Sequence, residues 1–92
     1  MDQNKKIETF EQELRTIFKD KSIYQISVWT RDHAQYLKWH CNYNANKIEE
    51  VMQEFLTVGF FLNENFKDDE GAINDFRELG ITTVKTLELA CK

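Results

Sequence analysis

Apolar residues recur at helical spacing along the start of the chain. Ile7, Phe10, Leu14, Ile17 and Phe18 fall on one stripe, and Glu8, Glu11, Gln12, Arg15 and Lys19 fill the other side. On a helical wheel the stripe spans roughly 100°, the width of a core-facing face. The pattern predicts a first helix over residues 4–19, with Asp2 or Asn4 as its cap.

The rhythm changes between Ser22 and Tyr43. Tyr24, Ile26 and Val28 alternate with more polar residues, and Leu37, Trp39 and Cys41 do so again after a polar gap. Alternation with period two predicts two half-buried strands. Paired as an antiparallel hairpin, they set Val28 against Leu37, Ile26 against Trp39 and Tyr24 against Cys41 on the core face. The same register leaves Trp29 opposite Tyr36, Ser27 opposite Lys38, Gln25 opposite His40 and Ile23 opposite Asn42 on the wet face. Arg31 to Ala34 form the connecting loop.

Helical spacing returns with Ile48, Val51, Met52, Phe55, Leu56, Gly59 and Leu62. A second helix is predicted over residues 47–64, opened by Asn46 and Glu49 in a near capping box. Phe60 and Phe61 lie off its stripe and call for cover from another direction. Asp68 or Asp69 can cap a short third helix with Ile73, Phe76 and Leu79 inward. Gly80 and Ile81 are placed as a Schellman stop for it. A last strand follows, with Leu87, Leu89 and Cys91 on one face. The expected fold is α+β in the order α-β-β-α-α-β: a two-layer single domain over residues 1–92, with a small, mostly antiparallel three-stranded sheet packed on helices on one face. Its core is expected to hold Phe10, Leu14, Ile17, Ile26, Val28, Leu37, Trp39, Ile48, Val51, Met52, Phe55, Phe76, Leu87 and Leu89.

Composition narrows the function classes. A chain of 92 residues, 41% hydrophobic and 30% charged, is globular rather than disordered. It has no Pro and three Gly, which leaves no flexible linker. A net charge of −4 speaks against direct nucleic-acid binding. The charge is uneven: residues 46–79 carry nine acids against three bases, whereas residues 23–45 carry one acid and two bases. Such an acidic half either keeps the surface solvated or steers the protein onto a basic partner, in the manner of a nucleic-acid mimic.

Candidate chemistry is sparse. Cys41 follows His40, but neighbours on a strand point to opposite faces, so the pair is not a nucleophile and its base. The two His and two Cys lack the spacing of a zinc site, and Asp68, Asp69 and Glu70 lack the ligand alternation of a calcium loop. No metal, cofactor or enzymatic activity is expected. Cys41 and Cys91 are expected as free buried thiols rather than a bridge. No apolar run follows Lys5 and Lys6, and the longest run, Phe55 to Leu62, is far shorter than the roughly 20 residues that cross a bilayer. The expected location is the cytoplasm, without membrane contact.

Two surfaces remain as candidates. One is the acidic set Glu49, Glu50, Glu54, Glu64, Asp68, Asp69 and Glu70; the other is the wet hairpin face with Trp29, Tyr36, Lys38 and His40. Tyr and Trp are frequent anchors at protein interfaces. The expectation is a small acidic, non-enzymatic protein-binding domain, an inhibitor or regulator that docks on a basic and possibly nucleic-acid-binding protein. Anti-restriction, anti-CRISPR and immunity proteins of phages and mobile elements are of this type. The alternative is a homodimeric accessory domain that pairs through the open sheet face or through Phe60 and Phe61. A third reading, an enzyme or small-ligand carrier, would draw on His40, Tyr36 and Glu88.

Overall fold

The computed structural model describes residues 2–91, without the side chains of residues 2–5, Ile7 and Asn42. The predicted caps Asp2 and Asn4, the place of Ile7 on its stripe and the contacts of Asn42 lie outside the described residues. Four helices make up the fold: α1 (Asp2–Phe18), α2 (Ile23–His40), α3 (Ala45–Phe66) and α4 (Glu70–Ala90), with a 3₁₀ turn at Asn42–Asn44 before α3. No strand occurs among the described residues, so the expected α+β fold with a three-stranded sheet is wrong. The protein is an all-α globule.

The predicted hairpin is one continuous helix. Ser22 Oγ accepts a hydrogen bond from the Gln25 backbone N–H at 3.1 Å, and the Gln25 side-chain oxygen accepts one from the Ser22 N–H at 2.9 Å. This capping box fixes the start of α2. Its buried residues are Ile23, Ile26, Ser27, Thr30, Ala34 and Leu37, a helical series in which three members are small or polar. Those three hid the 3.6-residue period. The apolar positions left visible, Ile26, Val28, Leu37 and Trp39, happen to alternate.

Small residues sit there because α3 passes close by. A Cβ added to Gly59 of α3 would lie 2.3 Å from Ser27 Oγ and 2.8 Å from Phe76 Cζ. Gly80 plays a similar part and is no helix stop. No glycine has a positive φ among the described residues, and α4 runs through Gly80 without interruption. A Cβ there would meet Ile26 and Phe18 at 3.1 Å. The predicted third helix and last strand are therefore one helix.

The cross-links give the directions of the helices. His33 meets Glu88 and Cys41 meets Cys91, so α2 and α4 run parallel. Lys38 meets Glu49, so α3 runs antiparallel to α2. Arg15 meets Glu78 and Glu11 meets Lys85, so α1 runs antiparallel to α4. The resulting up-down-up-down body is flat, 36 × 29 × 14 Å. One core cluster gathers Leu14, Phe18, Ile26, Phe55 and Phe76, and the other Leu37, Ile48, Met52, Leu56 and Leu87.

Four residues expected to face the core lie outside: Trp39 is 83% exposed, Leu89 64%, Tyr24 58% and Leu79 39%. Strand alternation assigns Trp39, Leu89 and Tyr24 inward, and a helix turns them away. The cysteines also differ from expectation. Cys41 at the end of α2 and Cys91 at the end of α4 form a disulfide, with Cα atoms 5.3 Å apart. The side chains of Tyr43 and Asn44 donate to the carbonyls of Cys91 and Ala90 at the same corner.

Candidate protein-binding surface

The outer side of α3 combines charge with exposed aromatic area. Ile48, Met52, Phe55, Leu56 and Gly59 face the core. Glu50, Glu54, Thr57, Val58, Phe60, Phe61 and Glu64 face away from it and are exposed. Phe60 and Phe61 are each 58% exposed. Phe66 closes the helix, its ring 6.1 Å from that of Phe61. Among the described residues, nothing supplies the second direction of cover expected for Phe60 and Phe61.

Acidic groups are exposed along the same helix and the turn that follows it. Among the described residues, Glu50, Glu54, Glu64, Asp68 and Glu70 make no ion pair. Asp69 is committed locally, its carboxylate accepting from the Ala72 N–H at 3.0 Å as the cap of α4. Glu49 is likewise engaged, 2.7 Å from Lys38 Nζ and 3.0 Å from the Gln53 amide. The hydrogen bond from Lys38, followed by that from Gln53, holds its carboxyl below the usual carboxylate range. Of the seven acids singled out in the sequence, five thus form an open field, and Glu49 and Asp69 act within the fold.

The residues expected on the hairpin face meet a different fate. Trp29 is half-buried, edge-on to Phe18 at 5.3 Å and stacked on His33 at 5.2 Å. His33 is followed by Tyr36 at 6.2 Å, and Tyr36 by His40 at 4.3 Å. The four rings climb one side of α2 at helical spacing. Trp29 and Tyr36 do share a face, because seven residues are close to two helical turns. Lys38 leaves that face for Glu49. Glu88 pairs with His33 at 2.7 Å rather than with His40. The strand pattern places Tyr24 and Trp39 on the core face and His33 in a loop, and gives Tyr43 no role, whereas Tyr24, Trp39 and Tyr43 are exposed on or just beyond α2. A helical wheel of residues 23–40 turns Tyr24 and Trp39 outward and sets His33 beside Trp29 and Tyr36.

An open hollow of about 450 Å³ is lined by Thr9, Gln12, Glu13, Thr16 and Ile17, all from α1. Among the described residues no three His, Cys, Asp or Glu are grouped to hold a metal, and no helix is long and apolar enough to cross a membrane. No family model matches the chain, and neither the comparison with curated proteins nor that with solved structures found a match.

Proposed function

We propose that the protein is a non-enzymatic binding module whose α3 outer face receives a basic, amphipathic segment of a partner protein and so inhibits or regulates that partner. The observation that carries this reading is the pair Phe60 and Phe61, exposed on the same helix as Glu50, Glu54 and Glu64, carboxylates that make no ion pair among the described residues. Exposed apolar rings rimmed by charge are the composition of a docking site: the rings supply burial and the carboxylates supply steering and register. A partner surface that otherwise binds phosphates has the complementary charge. The proposed place of action is the cytoplasm, and the Cys41–Cys91 bridge stands against it, since disulfides are rare there; alkylation trapping in cell lysate decides, with a reduced pair supporting the cytoplasm and a fully oxidised pair moving the protein elsewhere.

Two variants test the surface. Glu50→Lys/Glu54→Lys/Glu64→Lys reverses the field, and Phe60→Ser/Phe61→Ser removes the rings. Capture from host lysate with identification by mass spectrometry is expected to give a basic protein bound by wild type at low salt. It is expected to be released at about 0.5 M salt, where screening shortens to a few ångströms, and to be lost in both variants. A specific partner retained by both variants would refute the assignment of α3.

A further inference from the structure

Glu50, Glu54, Val58 and Phe61 form one line along the outside of α3. They stand within roughly 80° of one another on the helical wheel, opposite Ile48, Met52, Phe55 and Gly59. All four are exposed, and neither carboxylate makes an ion pair among the described residues. The separation of Glu50 and Phe61 is close to three helical turns, so the line runs straight for about 16 Å. It is acidic at one end and apolar at the other. Lys47, exposed one turn before Glu50, ends the acidic stretch. Phe60 falls to one side, about 100° from Phe61.

We infer that the occupant of this line is an antiparallel helix of a partner protein that carries two large apolar residues three positions apart, then a base four positions on and a second base four beyond it. Such an occupant rests on the α3 docking face proposed above; what is new is the order, spacing and direction of its contacts. Contact positions three or four apart recur once per turn on both helices, so a helix meets each of them with one side chain. Laid antiparallel, its apolar residues cover Phe61 and Val58, and its two bases reach Glu54 and Glu50. Charge complementarity selects those bases. Direction follows from helix electrostatics, because cations are favoured in the last turns of their own helix. A helix that ends in bases brings that end to Glu50 and Glu54, which lie in the first half of α3. A third base three positions further would meet Lys47. A second copy of the chain does not fit the line: two chains of −4 would meet acid to acid.

Titration of the full chain with alanine-based helical peptides of about 18 residues, followed by amide chemical shifts, tests the pattern. The matched peptide carries leucines and arginines at the inferred spacing. A second peptide moves both arginines two positions along, to the far side of its helix. A third reverses the order, with the arginines first. The matched peptide is expected to bind with a Kd below about 1 mM, and at least ~5-fold more tightly than either control. Glu50→Lys/Glu54→Lys and Phe61→Ser are each expected to weaken it at least ~5-fold, and Phe60→Ser less than ~2-fold. Circular dichroism confirms the helix content of the variants, whose sites are exposed.

No saturation by the matched peptide at about 5 mM would overturn the inference. So would a larger loss in Phe60→Ser than in Phe61→Ser, or a control bound as tightly as the matched peptide. If all three peptides bind alike and all are weakened by Glu50→Lys/Glu54→Lys and Phe61→Ser, the pattern falls and the α3 docking face stands. Binding that neither variant changes would remove both.

Discussion

At Gly59 the absence of one carbon lets α2, α3 and α4 meet. Gly59→Ala gains about 1 kcal/mol of helix propensity. It also forces Ser27 and the buried Phe76 ring to move, and overpacking of that kind costs about 1–3 kcal/mol. A net loss in urea unfolding is expected, larger than for Gly80→Ala, whose nearest neighbours stand 3.1 Å away rather than 2.3 Å. Glu49 shows a second single-residue effect. Its folded pKa lies below the ordinary value of 4.5, so the Lys38–Glu49 pair stabilises the fold above that pH and is lost as pH falls through the lower folded value. The pair is partly exposed, which keeps its worth under ~1 kcal/mol. Stability of wild type over Glu49→Gln is expected to be constant above about pH 5.5 and to shrink toward zero in more acid solution. A difference that fails to shrink as the solution is made more acid would contradict the pairing. Neither Gly59 nor Glu49 announces this role in the sequence, since each depends on a residue of another helix.

Among the elements, α2 is where local pattern and structure part. The stripes of α1 and α3 were legible because large apolar residues mark every turn; Leu14, Phe18, Ile48, Met52 and Phe55 are buried as their spacing required. In α2 the core face is carried at Ser27, Thr30 and Ala34 by side chains that a hydrophobicity pattern reads as neutral. Ser22 and Gln25 did offer a helix signal, and the expected loop Arg31–Ala34 held no Gly, Asn or Pro to turn a hairpin. Loss of the cap is measurable: Ser22→Ala is expected to lower stability by about 0.5–2 kcal/mol in chemical denaturation, with the helical spectrum unchanged. The same misreading moved Trp39 from surface to core, which is why the wet face was expected around Trp29 rather than along Tyr24 and Trp39.

For the whole molecule, the Cys41–Cys91 bridge ties the ends of the two parallel helices across 50 positions of sequence. Closing a loop of that length restricts the unfolded chain by roughly 4 kcal/mol in the chain-entropy account. Reduction, or Cys41→Ser, is expected to lower stability by about 2–4 kcal/mol, and a reducing agent should then have no further effect on the variant. Equal stability with and without reductant would mean that the two thiols are not joined in solution. By itself the sequence determined the helices α1 and α3, the uneven charge and the exposed state of Glu50, Glu54 and Glu64, because these follow from spacing and composition along one segment. Only the tertiary structure decided that residues 23–40 are helix, that residues 70–90 are one helix, that the cysteines meet, and which aromatic rings face out. Each of those depends on what lies opposite: small residues are core only where another helix comes close, and a face is wet only where none does.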